Sequence, residues 1–398
     1  MMHRLVRRSH REGRPGSPRR RLVRRSAVVA ALLALAVVGT SYVRALTTPG
    51  DASWTVKSVE WIRDNGGAGI VDAVENWWFR NPPADAPPSA SDLPNLTAPS
   101  PRPGATQTGP GLGASSPAPP APSTAPEAVT IPTGTRPIPG EGRWVAGRVD
   151  ARGVPSMYTT FLQPDPAHAS IVAGVAWIRA ADTVAHLVAG TTQPGGPPWP
   201  GNARVTPGDV PRLVATFNSG WRFKDLLGGF YEDGRFSRPL QPGAGSVVID
   251  RTGRAAIGAW GRDVSMSPSV LAVRQNLHLV VDGGAAAPGI ADASGPWGVA
   301  ANQRQYTWRS GLGVDAQGNL VYVAGNHMTL EVLVDALVDA HAVRAVELDM
   351  HPGMVAFSRW LPTPGGGMTA QNLLPTMPDA TNRYLSPDQR DFFYITLR

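Results

Sequence analysis

Between Ala27 and Val43 the chain runs for 17 residues through Ala, Leu, Val and a few small or polar side chains without one charge, bracketed by Arg25 and Arg44. At 1.5 Å per residue this makes about 26 Å of helix, a little short of a bilayer core, and snorkelling of the two flanking arginines covers the difference. Residues 1–25 carry ten arginines against Glu12 alone. An arginine cluster on one side of an apolar helix keeps that side in the cytoplasm, so residues 1–26 read as a basic cytoplasmic arm, 27–43 as a single-pass transmembrane anchor in the cell membrane, and everything from residue 45 onward as extracytoplasmic. The competing reading is a cleaved signal peptide, for which Val43 and Ala45 make a poor small-residue cleavage pair. A twin-arginine signal at Arg24 and Arg25 fits less well, because Ser26, Ala27 and Val28 do not continue a consensus.

The arm also accounts for the charge. The formal net charge is +7, and since the arm supplies more than that, the remainder of the chain is close to neutral. A nucleic-acid-binding domain needs a basic stripe on its folded body, so a nucleic-acid partner is not expected. The sequence has no cysteine, which removes disulfides, thiolate zinc sites and cysteine nucleophiles together. Stability outside the cytoplasm must then come from packing. With 42% hydrophobic residues over 398 positions the chain is not disordered throughout, and its 44 Gly and 40 Pro are clustered without a collagen period.

Residues 44–80 form a Trp-rich juxtamembrane segment. Two short amphipathic helices are expected around a break at Asn65, Gly66 and Gly67, with Trp54, Trp61 and Ile62 on one side of the first and Ile70, Val71, Val74, Trp77 and Trp78 on one side of the second. Four tryptophans this near a membrane suit an interfacial belt; packing of the helices on each other or on the body is the alternative. Residues 81–140 are rich in Pro, Ala, Ser, Thr and Gly and poor in large apolar side chains, the composition of a disordered linker. Fully extended in polyproline II it would span about 190 Å.

The remaining domain, 141–398, alternates short apolar runs with turn signals. Strands are expected at Met157 to Gln163, Ser170 to Arg179, Leu213 to Phe217, Leu277 to Val281, Val343 to Asp349, Met354 to Trp360 and Phe392 to Leu397. Two hairpins are expected, one turning at Asp250 to Gly253 and one at Asp315 to Gly318. Thr329 to Ala340 is the clearest helix, since Leu330, Leu333, Val334, Leu337 and Val338 fall on one face. Many strands and few helices give an α+β class with mostly antiparallel sheets, preceded by the transmembrane helix and the linker.

Three of these strands end in a polar residue beside Gly, Ser or Met: Phe217 with Asn218, Val281 with Asp282, and Leu348 with Asp349. Such groups gather in a cleft when the strands share a sheet edge. Glu347 and Asp349, two apart in a strand, face the same side, either as an acid/base pair or as half of a salt-bridge network. Asp282 before two glycines is, by itself, more often a turn residue. Asp349, His351 and His327 do not have the spacing of a metal motif such as H-E-x-x-H, and hydrogen-bonding loop histidines are the plainer reading; no metal or cofactor is expected. Arg304 and Arg309, in a polar and aromatic stretch, suit either a phosphate beside a sugar or surface ion pairing.

Taken in order, Ala215-Thr216-Phe217-Asn218-Ser219-Gly220, Gly228-Gly229-Phe230-Tyr231-Glu232-Asp233-Gly234-Arg235, Leu279-Val280-Val281-Asp282-Gly283, Arg309-Ser310-Gly311-Leu312-Gly313-Val314-Asp315 and Glu347-Leu348-Asp349 resemble the blocks of the phosphodiester glycosidase family, over about residues 150–398. The resemblance implies cleavage of the bond between a sugar's anomeric carbon and a phosphodiester oxygen, here in an envelope glycan or glycolipid. It also implies that Asn218, Asp282, Arg309 and Asp349 line the pocket. On it, Arg309 binds phosphate, Asp349 or Glu347 is nucleophile or base with Asp282 as a further catalytic carboxylate, and Asn218 meets a sugar hydroxyl, with Arg304 and His351 as further substrate contacts. Where many members carry a Gly-rich stretch ending in Ser after the last Asp, this chain has Met350-His351-Pro352-Gly353-Met354. A non-catalytic glycan- or polymer-binding module on the same fold is the alternative class.

The charge asymmetry across Ala27 to Val43 predicts that fractionation leaves the full chain in the membrane and that protease added outside spheroplasts removes the domain beyond it. A mature protein beginning near Leu46 and free in the medium overturns the anchor.

Overall fold

The computed structural model describes residues 18–48, 50, 52–94 and 125–398. Its strands form three sheets in which every pairing is antiparallel. The largest has eight strands in the spatial order Val145–Ala146, Met157–Leu162, Ala173–Ile178, Leu320–Met328, Thr307–Val314, Arg344–Met350, Leu279–Asp282 and Ala285–Ala286. A five-stranded sheet is built from Arg235–Arg238, Phe230–Glu232, Val270–Gln275, Gly245–Asp250 and Ala255–Ala259, and a second from Met368–Asn372, Phe357–Pro362, Leu213–Asn218, Phe392–Leu397 and Thr183–Val188. The α+β class with few helices and mostly antiparallel sheets is the class expected.

Strand periodicity divides the eight-stranded sheet between two cores. Ala176 and Ile178 face a core shared by all three sheets, with Phe217, Val247, Ile257, Phe357 and Phe393. Their neighbours Val175 and Trp177 face the opposite core, which helix Leu330–Asp339 covers with Leu330, Leu333, Val334 and Leu337. Burial on both faces explains the near-continuous apolar runs in these strands, where a half-exposed sheet would alternate. Thr329 caps the helix, its Oγ1 accepting from the Val332 amide at 3.3 Å.

Two expected strands begin or end later than their apolar runs. The strand after the helix runs to Met350, and the next starts only at Phe357. Between them His351 and Gly353 take left-handed backbone, with φ of 79° and 81°, so the chain turns where the apolar pattern alone continues. The strands Thr183–Val188, Phe230–Glu232 and Val270–Gln275 were not anticipated.

Helix Pro18–Thr47 contains Arg25–Thr47, long and apolar enough to cross a membrane and wholly unburied. Helices Trp54–Ile62 and Ala68–Trp78 follow, broken where Asn65 leaves helical geometry and Gly66 takes φ of 91°. The second helix lies on the body: Gln305 donates to Asn76 at 2.7 Å and the Tyr306 amide to the Phe79 carbonyl at 2.8 Å. The two ends of the Pro-rich stretch also lie on the body. Leu93 packs against the shared core, Val129 is buried in the second core, and the Thr130 amide donates to Asp339. The middle of the expected linker, residues 95–124, falls outside the described residues.

Phe217 stacks on Phe357 at 5.8 Å and meets Tyr322 and Phe393 at 5.3 and 5.6 Å, with no exposed surface. Phe217→Ala should therefore cost about 3–5 kcal/mol, read as a lower urea midpoint with an unchanged m-value. A change under about 1 kcal/mol would mean that the sheets close the gap by themselves.

Candidate active site

The polar ends of Leu213–Asn218 and Arg344–Met350 meet the charged run Asp388 to Asp391 that leads into Phe392–Leu397. Asn218 is the joint. Its Oδ1 accepts from the Tyr322 hydroxyl at 3.0 Å and the Ala356 amide at 3.2 Å, and its Nδ2 donates to Ser310 Oγ at 3.0 Å. Ser310 Oγ in turn donates to the Asp349 carbonyl at 3.1 Å. Asn218 thus locks two sheets together directly behind Asp349, and it is not among the residues lining the adjoining cavity.

That cavity holds about 670 Å³. One wall comes from the body, with Trp221, Asp349, His351 and Arg390; the other comes from the juxtamembrane helices, with Glu60, Arg63 and Glu75. Asp349 Oδ2 accepts from Arg390 Nη2 at 2.6 Å, and its Oδ1 accepts from the Met350 amide at 2.9 Å. The same Arg390 donates to the Gly220 carbonyl at 2.9 Å and reaches across to Glu60 at 3.3 Å, while its Nε has no partner. Close approach fixes its backbone: a Cβ on Gly190 would lie 2.5 Å from the Arg390 carbonyl carbon. Burial pushes the Asp349 carboxyl up to about 6, against the opposing pull of Arg390.

Two further buried ion pairs stand behind the wall. Arg309 donates to Glu347 at 2.6 Å, both side chains being 1% exposed. The rest of its guanidinium is used on backbone carbonyls, from Nε to Met328 at 2.9 Å and from Nη2 to Asn302, Gln303 and Gln305. Arg309 therefore holds the loop before its own strand and does not reach the cavity. Burial raises the Glu347 carboxyl, against the opposing pull of Arg309 and of the nearby Trp221 indole N–H. Arg274 pairs with Asp391 at 2.9 Å beneath the ring of Phe223, and Ser219 Oγ donates to the same carboxylate at 2.6 Å. Each carboxylate of the Glu347 and Asp349 pair thus has its own arginine.

His351 lines the cavity in its left-handed turn, 5.4 Å from the Phe79 ring, with Nδ1 3.3 Å from Thr307 Oγ1 and Nε2 3.5 Å from Glu75. Burial, with Arg309 and Arg63 nearby, lowers it to about 3, so the imidazole is neutral. Asp282 lies elsewhere, at the sheet edge in a network with Arg262 at 2.7 Å and Arg344 at 3.9 Å. Arg304 is spent on the Asp292 carbonyl at 3.2 Å. Among the described residues no group of three or more His, Asp or Glu could hold a metal ion.

Arg390, Arg274 and Asp391 are not among the site residues expected from the sequence. Their signal is the mirror image of the one used: Asp388-Gln389-Arg390-Asp391 precedes an apolar strand instead of ending one. Glu60, Arg63 and Glu75 had no such signal, since only the fold brings the juxtamembrane helices against the body.

No family model matches the chain, and no curated protein does. Among solved structures it is similar to the catalytic domain of zebrafish N-acetylglucosamine-1-phosphodiester alpha-N-acetylglucosaminidase, auto-inhibited by its pro-peptide, at 15% identity and a TM-score of 0.39, covering 64% of this chain and 87% of that one. It is also similar to a hypothetical protein from Synechocystis, at 12% identity and a TM-score of 0.35, covering 61% of this chain and 62% of that one.

Removing one partner of a buried ion pair strands the other charge, so Arg309→Met should cost about 3–5 kcal/mol of stability. Glu347→Leu added to it should restore most of that loss, because a well-packed apolar pair replaces buried charges at little cost. Urea unfolding of the single and double variants measures both, and strict additivity would show that the two side chains are not coupled.

Proposed function

We propose that the chain is a membrane-anchored, extracytoplasmic hydrolase that cleaves the glycosidic bond of sugar-1-phosphodiesters in envelope glycans or lipids. The observation that carries this reading is the Asp349 and Arg390 pair on the cavity wall, an acid raised to about 6 beside a guanidinium. The ordered sequence blocks supply the reaction class.

In the proposed reaction, oxygen from water ends on the anomeric carbon, and the bond from that carbon to the phosphate oxygen breaks. The bonding electrons leave with the phosphate, giving a free sugar and a phosphate monoester. A phosphate monoester leaves readily, so the demand for a strong general acid is smaller than in ordinary glycoside hydrolysis. The larger demand is a cation where charge collects. Arg390 is the cation placed to meet it, lining the cavity between Glu60 and Asp349 with its Nη2 keeping Asp349 in place. Asp349 acts at the anomeric centre, as nucleophile or as the base that takes the proton of the attacking water. Neutral His351 offers hydrogen bonding to a sugar hydroxyl. Glu347, Arg309 and Asn218 position this wall from behind.

Purified full-length protein should release free sugar from a panel of methyl and lipid phosphodiesters of glucose, mannose and N-acetylglucosamine. Since Asp349 must be ionised to act, kcat/KM should fall as pH drops through about 6 and level off above it. Asp349→Asn should lower turnover by about 10²- to 10⁴-fold. Arg390→Lys, which keeps a charge but loses the planar fork, should cost about 10²- to 10³-fold, and Arg254→Ala, in a distant hairpin turn, should match the wild type. Binding of the panel without release of sugar would favour the non-catalytic module, and wild-type rates in folded Asp349→Asn and Arg390→Lys would remove the reaction from this cavity.

A further inference from the structure

Helix Ala68–Trp78 wears its amphipathic face the wrong way round for a domain in water. Ile70, Val74, Trp77 and Trp78 fall at i, i+4, i+7 and i+8 and are exposed by 71, 54, 60 and 67%, whereas Val71, one step around, is 8% exposed. Glu75 and Asn76 turn inward, to Arg63 and to Gln305. Trp54, at the start of the preceding helix, is 70% exposed. An apolar stripe of this size facing outward calls for a partner.

The structure also fixes what lies nearest to it. Helix Trp54–Ile62 is tied to the last turns of the membrane-length helix. Trp61 Nε1 donates to Ser41 Oγ at 3.0 Å, Tyr42 and Ser58 share a hydrogen bond of 2.8 Å, and Lys57 Nζ donates to the Thr48 carbonyl at 2.8 Å and to that of Leu46 at 3.3 Å. The Tyr42 ring stands edge-on to Trp61 at 5.1 Å. Ser41 and Tyr42 belong to the span Arg25–Thr47, so these contacts bring the helical pair to the level where that span leaves the hydrocarbon. Tryptophan prefers this depth, its ring among acyl chains and its N–H among headgroups.

We propose that the outer face formed by Trp54, Ile70, Val74, Trp77 and Trp78 lies in the outer leaflet of the same membrane, and that the cavity behind it takes a lipid-borne sugar-1-phosphodiester. The bond attacked rests on the hydrolase reading above; the docking does not. Val56 and Glu60 of the tied helix, and Arg63 directly after it, are themselves cavity wall, so the cavity stands about one helix diameter, roughly 10 Å, from the lipid surface. Val299 lines it while 66% exposed, giving an apolar edge where an acyl or polyprenyl chain would enter. A phosphate at headgroup height meets Arg390, and its sugar meets Asp349, without the lipid leaving the bilayer.

The test uses the full chain in phosphatidylethanolamine and phosphatidylglycerol vesicles with brominated acyl chains, which quench nearby tryptophan emission. The membrane-length helix contains no tryptophan, so quenching reports on the segment that follows it. The wild type should be quenched, and the W54S/W77S/W78S variant should lose most of that quenching; equal quenching in both overturns the docking. In the same vesicles the variant should turn over a polyprenyl-phosphoryl sugar about tenfold more slowly while hydrolysing a methyl-phosphoryl sugar in solution at the wild-type rate. Equal loss on both substrates, or wild-type turnover confined to soluble or polymer-borne phosphodiesters, overturns the lipid substrate. If the wild type cleaves neither, the hydrolase reading fails and the ligand assignment with it, while the quenching result still decides the docking.

Discussion

Three arginine–carboxylate pairs, Arg309 with Glu347, Arg274 with Asp391 and Arg390 with Asp349, are sealed where the eight-stranded sheet meets its neighbours. Burying a charge in a protein interior is costly unless a partner and further hydrogen bonds satisfy it. That requirement fixes the joint: Glu347 is stranded unless the strand Thr307–Val314 lies in register beside it, and Asp391 is stranded unless Val270–Gln275 brings Arg274 over from another sheet. Pairs of this kind add little to net stability compared with apolar replacements. What they do here is exclude other registers, since a slip of the strand that carries one partner leaves that pair's two charges apart. In a chain with no cysteine to staple the sheets, the Arg274 and Asp391 pair, the Arg390 and Asp349 pair and the hydrogen bonds of Asn218 tie one sheet to the next around the core that all three share.

The same joint makes the cavity. Two of the pairs stand behind the wall, and of the three only Arg390 with Asp349 lines the cavity. The facing wall belongs to the juxtamembrane helices, so the cavity is completed by a segment that precedes the Pro-rich stretch in the chain. Both ends of that stretch lie on the body. The connection from the membrane-length helix to the cavity is therefore the short segment between Thr47 and Trp54, and the Pro-rich residues connect two points on one body.

How much of this was legible follows the range of the interactions. Helix Leu330–Asp339 and the hairpins turning at Asp250 and Asp315 were readable because their signals, a 3.6-residue apolar period and turn residues between strands, lie within a dozen positions. Strand Val270–Gln275 escaped because Arg274 and Gln275 break its apolar run, and those two residues are polar for a reason visible only in three dimensions. Polar residues at strand ends located Asn218, Glu347 and Asp349 near one another, yet could not tell which would face the cavity. Arg309, in its polar and aromatic stretch, suited a phosphate as well as an ion pair; in the fold Ser310 and Gly311 beside it admit the neighbouring strands, and the guanidinium turns to Glu347 and to its own loop. Asp282 has the same local signal as Asp349 but sits at a sheet edge, where arginines from the surface reach it.

Burial shifts Asp349 and His351 on the cavity wall in opposite directions, the first up and the second down. Both are two residues apart at the end of one strand and share its loss of solvent. For Asp349 desolvation favours the neutral acid and Arg390 restores the charge, leaving the group near 6, between its two forms just below neutral pH. For His351 desolvation and the surrounding arginines both disfavour the cation, and the group falls to about 3. At neutral pH the wall thus presents a carboxylate and an uncharged imidazole from one segment beside a permanent cation, Arg390, from the run before the strand Phe392–Leu397. Environments that push neighbouring pKa values apart are what allow one site to divide acid, base and binding roles. The arrangement follows from where the strand Arg344–Met350 ends, because the left-handed turn at His351 takes the chain out of the sheet with both Asp349 and His351 on the cavity wall.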